Sequence, residues 1–81
     1  MSEKYQPISC AQHDLLELSV LRKSYLEVHY ESEGGVVQEG VLPVDVLTRN
    51  GEEWFKFKRK NGELLEIRLD RIISFHEIKH I

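Results

Sequence analysis

The sequence predicts a mainly β (α+β) domain in which one N-terminal helix precedes five short strands, folded as a strongly bent antiparallel sheet or partly open barrel. Three observations carry that expectation. Helical spacing is confined to the first third of the chain, alternation with a period of two runs from Tyr25 onward, and Gly-containing turn signals cut the alternating part into short pieces. The 81 residues leave room for one domain, 1–81, with 1–8 expected as a partly flexible N-terminal segment.

The elements follow in order. Ser9-Cys10-Ala11-Gln12 has the form of a capping box, in which the Ser hydroxyl accepts from a first-turn N–H. Asp14-Leu15-Leu16-Glu17 offers a competing helix start. Ala11, Leu15 and Leu18 recur at i, i+4 and i+7, and Leu16, Val20 and Leu21 broaden the apolar surface as far as the basic pair Arg22-Lys23, a charge type favoured at a helix C-terminus. Beyond it Leu26, Val28 and Tyr30 alternate with polar residues, then Phe55 and Phe57, then Leu65, Ile67 and Leu69. Val36 to Leu42 and Ile72 to Ile78 complete five strands. Glu33-Gly34-Gly35, Asn50-Gly51 and Lys60-Asn61-Gly62 punctuate them, and Asn-Gly supplies the positive φ angles of a tight hairpin. The count suits an Sm-like or OB-like sheet.

Composition excludes several function classes. Hydrophobic residues are 41% and charged residues 31%, too apolar for an acidic disordered segment and too charged for a membrane protein. No apolar run approaches the ~18 residues that span a bilayer, and Met1 to Pro7 is polar, so a cytoplasmic protein without membrane contact is expected. One cysteine, Cys10, allows no internal disulfide. The net charge of -3 has the wrong sign for holding a phosphate backbone by bulk electrostatics. It is also uneven: residues 1–45 carry eight acids and three bases, whereas 46–81 are net basic. An acidic side suits a basic partner.

Few constellations carry chemistry. His76 and His80 would converge on a metal only from a helix, in a region that reads as strand, and His13 and His29 read as solvent-facing, so no metal is expected. A Cys10–His13 nucleophile lacks an orienting third group, which leaves Cys10 as a partly buried thiol packing the helix start. Gly34-Gly35 lacks the lysine and helix of a phosphate loop, so neither a cofactor nor catalysis is expected. In the basic, aromatic run Trp54 to Lys60, alternation sends Phe55 and Phe57 inward and leaves Trp54 beside Lys56 and Lys58, closer to an ordinary outer strand than to a stacking platform for bases. Asp14 and Glu17 are neighbours on a helix surface. They either oppose the helix dipole or receive cations from a partner.

Tyr5-Gln6-Pro7-Ile8-Ser9-Cys10, Asp14 to Leu18, and Arg68-Leu69-Asp70-Arg71-Ile72-Ile73-Ser74-Phe75 resemble the Rho-binding antiterminator (Rof) family of bacteria, over Tyr5 to about Phe75. The resemblance implies an Sm-like fold and a non-catalytic, monomeric inhibitor of the transcription termination factor Rho, a hexameric RNA-dependent ATPase. It implies binding that keeps Rho from nascent RNA at its primary sites, hence antitermination, with Asp14 and Glu17 as anions set against a basic cleft and Ser9, Cys10, Gln12 and His13 supplying hydrogen bonds. Where the family is more acidic after the Cys, this chain has Ala11-Gln12-His13. The rival expectations are a small Sm-like or OB-like RNA-binding module and an interaction domain with a different partner.

Overall fold

The computed structural model describes residues 7–78; Tyr5, Gln6 and the expected flexibility of 1–6 lie outside the described residues, as does His80. Helix α1 (Cys10–Arg22) is followed by β1 (Leu26–Ser32), β2 (Gly35–Arg49), β3 (Glu52–Lys58), β4 (Leu64–Arg68), a short 3-10 turn (Leu69–Arg71) and β5 (Ile72–Glu77). All pairings are antiparallel, in the order β4-β3-β2-β1-β5. The expected Sm-like arrangement of one helix and five strands is present.

The largest departure from expectation is β2, which runs on to Arg49 rather than ending at Leu42. Its first half pairs with β1 from Gly35 to Val41, and its second half pairs with β3 from Leu42 to Arg49. One strand therefore serves two half-sheets. Just past the expected end at Leu42, the register shifts between Pro43 and Asp45. Such a bulge tolerates the missing proline N–H and bends the strand.

Turn chemistry fixes the hairpins. Asn50 (φ 55°) and Gly51 (φ 77°) both adopt positive φ in the two-residue loop between Arg49 and Glu52, as the Asn-Gly pair predicts. The β3–β4 connection is looser: only Gly62 is positive, and Asn61 Oδ1 accepts from the Glu63 N–H at 2.9 Å. Leu69, expected at the end of the fourth strand, is instead the first residue of the 3-10 turn that carries the chain from one sheet edge to the other. There Leu69 is fully buried, and Arg68 sets its guanidinium fork on Asp70, Nε to Oδ1 at 2.8 Å and Nη2 to Oδ2 at 2.9 Å. The Arg68 to Arg71 motif is thus a structural corner, held by a bidentate, charge-assisted contact.

The core consists of Leu16, Leu26, Val28, Tyr30, Val41, Phe55, Phe57 and Leu69. Leu26, Val28 and Tyr30 share one face of β1, and Phe55 and Phe57 one face of β3, as alternation predicts. The Phe57 ring lies 5.2 Å from Phe55 and 5.7 Å from Tyr30, both tilted, a favoured aromatic geometry. Tyr30 keeps its hydroxyl bonded to Glu39, which also receives Arg59 Nε at 2.9 Å. Burial and then the Glu39 carboxylate push the Tyr30 phenol up to about 12.

Helix α1 departs from its expected packing. The residues it buries are Leu16 and Ser19, whereas Leu15, Leu18 and Leu21 are exposed. Apolar residues lie on nearly every side of this helix, so periodicity alone could not choose the inward face. Contact with β2 decides it, and Ser19 enters because its hydroxyl donates to the Leu15 carbonyl at 2.9 Å.

Candidate partner-binding site

Ser9 is extended (φ -64°, ψ 153°), and its Oγ accepts from the Gln12 N–H at 3.2 Å. The helix therefore begins at Cys10, the earlier of the two expected starts. That start puts Cys10, Asp14 and Glu17 on one side of α1, with Leu21 a turn further along. All four are exposed. Cys10 thus does not pack against the helix start as expected; its thiol faces outward.

Ser9 and Gln12 are exposed as well, so the six residues expected at a partner surface lie together around the first two turns. His13 is the exception in burial. Its side chain is 22% exposed, and it is not solvent-facing: Nε2 stands 2.7 Å from Glu53 Oε2 on β3, and Nδ1 stands 3.5 Å from Glu17 Oε1. The Glu53 contact has the distance of an ion pair without the alignment of a hydrogen bond. It ties the first turns of α1 to the start of β3. No local sequence signal marks Glu53, since its nearness to His13 arises from the β2–β3 hairpin folding back beneath the helix. His29 is half-buried too, with Nδ1 3.1 Å from Ser74 Oγ across β1 and β5.

One ligand atom each from His13, Asp14 and Glu17 falls within a mutual 4.8 Å. Residues at i, i+1 and i+4 on a helix reach that spacing without an ion, and Glu53 already stands against the imidazole. His76, half of the other expected histidine pair, lies on extended β5. On the far side of the sheet Trp54 is half-buried, with the Arg49 guanidinium 5.7 Å from its ring centre, and Arg49 pairs with Glu66 at 2.9 Å. That surface is an ion-paired strand face rather than an open aromatic platform.

The surface beside α1 is acidic. Asp14 and Glu17 lie close together there, Glu53 stands against His13, and Asp45 on β2 lines a groove shared with Glu17. Such an arrangement cannot cradle phosphates, but it can receive ammonium and guanidinium groups. No helix among the described residues is long and apolar enough to cross a membrane.

Comparison with known proteins places the chain. In solved structures, a segment of proteasome accessory factor B/C (PafBC) of Arthrobacter aurescens superposes with a TM-score of 0.73 at 18% identity, over 89% of this chain and 12% of that one. At that identity the likeness is one of fold, and the chain corresponds to a small part of the larger protein. A sequence search of curated proteins finds no significant match. A family model, by contrast, covers residues 7–80, from ahead of the capped helix to beyond the last strand, and by that match the chain belongs to the ROF family, modulators of Rho-dependent transcription termination.

Proposed function

We propose that this protein inhibits Rho by occupying its primary RNA-binding cleft with the first turns of α1, so that nascent RNA cannot engage and termination fails. The observation that carries the reading is the joint exposure of Asp14 and Glu17 on one side of a capped helix. A cleft that binds RNA presents cations, and carboxylates held on a rigid element compete with phosphate for them. Ser9, Cys10 and Gln12 lie beside the acids as hydrogen-bonding groups, while His13, clamped between Glu17 and Glu53, holds the helix start in place. The protein acts as a monomer in the bacterial cytoplasm, by binding and without catalysis.

Transcription in vitro with purified Rho tests the reading: added protein should restore readthrough at a Rho-dependent terminator. The pair Asp14→Lys and Glu17→Lys should lose that effect with an unchanged circular dichroism spectrum, since charge reversal at an interface costs several kcal/mol. An oligonucleotide filling the primary RNA site should displace the protein, and association should slow above about 0.1 M salt, where the screening length is ~10 Å. Full inhibition by the folded double variant would remove α1 from the contact. A shift of labelled RNA by the protein alone would favour an RNA-binding module.

A further inference from the structure

The proposed contact on α1 does not end at Glu17. Between the second half of the helix and the bulged part of β2 lies an open groove of about 270 Å³, lined by Glu17, Val20, Leu21, Asp45 and Val46. Its walls are of two kinds. Val20, Leu21 and Val46 make its apolar part, and Leu21 itself is 79% exposed. Glu17 and Asp45 bring a carboxylate from each element that forms it.

Among the described residues, neither acid pairs with a lysine or arginine. Glu17 has its contact with His13 at 3.5 Å, and Asp45 Oδ1 accepts from the Val46 N–H at 2.8 Å. Lys56, the register partner of Asp45 on β3, forms no ion pair with it among the described residues. The groove is open and, at about 270 Å³, lies near the lower edge of the ~300–1,000 Å³ typical of small-molecule sites. A long side chain is the right scale.

We infer that this groove seats an arginine side chain of the protein partner. The inference deepens the reading of α1 as the Rho contact, on which the identity of the partner rests. Arginine fits both kinds of wall: its aliphatic stem can lie on Val20, Leu21 and Val46 while the planar guanidinium, weakly hydrated and forked, donates to Glu17 and Asp45 together. A lysine would offer one compact, strongly hydrated charge to two separated acceptors. An apolar side chain would bury two carboxylates without partners. Asp45 thereby becomes a contact residue contributed by β2, and the binding surface spans helix and sheet.

Two measurements test it. The ¹⁵N-labelled protein is titrated with N-acetyl-arginine amide and, separately, with its lysine counterpart. The arginine probe should move the Leu21 and Val46 amides saturably at lower concentration than the lysine probe, and Asp45→Asn should remove those shifts while leaving the rest of the spectrum in place. An Asn oxygen still serves the Val46 N–H, so the bulge has no reason to change. Shifts that are absent, dispersed over the surface or equal for both probes overturn the inference. Affinity for the Rho hexamer is then compared among variants at fixed salt. Asp45→Asn should weaken it at least tenfold, and Glu33→Gln, which removes one charge at the distant β1–β2 turn, should stay within twofold. Loss in the Asp14→Lys/Glu17→Lys pair with full affinity in Asp45→Asn would sink the groove and spare the helix contact. Saturable arginine shifts with unchanged Rho affinity in the charge-reversed pair would instead retain the groove and discard Rho as its partner.

Discussion

Helix α1 and the sheet obey different rules in the same small molecule. Alternate residues are buried over Leu26 to Tyr30 of β1 and Phe55 to Phe57 of β3, and Leu26, Val28, Tyr30, Phe55 and Phe57 are all at 3% exposure or less. On α1 the buried residues are Leu16 and Ser19, while Leu15, Leu18 and Leu21 remain exposed at 54%, 38% and 79%. Stability therefore resides in the sheet, and the helix is a docked element whose outer side is free for recognition. Substitutions on the outer side of α1 should alter binding at little cost in folding, and substitutions under the sheet should do the reverse.

The sharpest way to break that contrast is to truncate one large apolar side chain in each region. Phe57→Ala should cost about 3–5 kcal/mol, because it removes a ring packed on both Phe55 and Tyr30 and leaves a cavity. Against a total of about 5–15 kcal/mol for a domain, that loss is severe. Leu15→Ala, half exposed already, should cost less than about 1 kcal/mol. Urea denaturation of both variants checks the pair; similar midpoints would show that the helix belongs to the core as fully as the sheet does.

Titration of Tyr30 sharpens the sheet side of the comparison. Its phenol has an ordinary value of 10.0 and is raised to about 12 in the folded chain. A raised folded value means that the unfolded chain releases its proton first, so the stabilisation is complete below pH 10 and is lost as pH rises from 10 towards 12. Wild type should lose stability through that window, and Tyr30→Phe should lose less of it. Parallel pH profiles of the urea midpoint for the two proteins would refute the buried Tyr30–Glu39 contact.

The same contrast explains what the sequence could disclose. Strand faces were legible because alternation has only two phases, so Phe55 and Phe57 had to share a side. The Asn50-Gly51 turn was legible because few dipeptides accept two successive positive φ values. The extent of β2 was not, since Pro43 signals an ending and only the bulge beside it lets the strand continue. Helix orientation was not legible either: an apolar stripe wider than the contact leaves the choice to tertiary packing. At the site, the proximity of Asp14 and Glu17 could be read from their spacing. The contact of Glu53 with His13 and the groove that Asp45 shares with Glu17 both join separate elements, and no local pattern encodes them.

The Ser9 cap lies where folding and recognition meet. Ser9→Ala removes the acceptor for the Gln12 N–H and should cost about 1 kcal/mol. Fraying would spread over the turn that carries Cys10 and Asp14, so Rho affinity should fall although Ser9 itself need not touch Rho. Ser9→Asp, which keeps an N-cap acceptor, should restore helix stability. If it restores affinity as well, the serine acts through the helix; affinity still low in a well-capped Ser9→Asp variant would make the hydroxyl a direct contact.

The smallest expected effect falls on the other strand face. Lys56, Lys58 and Lys60 are basic residues close in sequence to Trp54, the composition that suggests contact with nucleic acid. Their setting argues otherwise: Trp54, the ring within this run, lies half-buried against Arg49, which is itself paired with Glu66, so it is not an open platform for a base. Replacing the three lysines with Ala should change stability by less than ~0.5 kcal/mol per exposed site and leave Rho inhibition within twofold of wild type. If the groove beside α1 takes a cation, removing Lys56 opposite Asp45 should tighten binding slightly rather than weaken it. A triple variant with native circular dichroism that no longer inhibits Rho would reverse the comparison, moving recognition from the helix to the sheet and making the basic strand the contact.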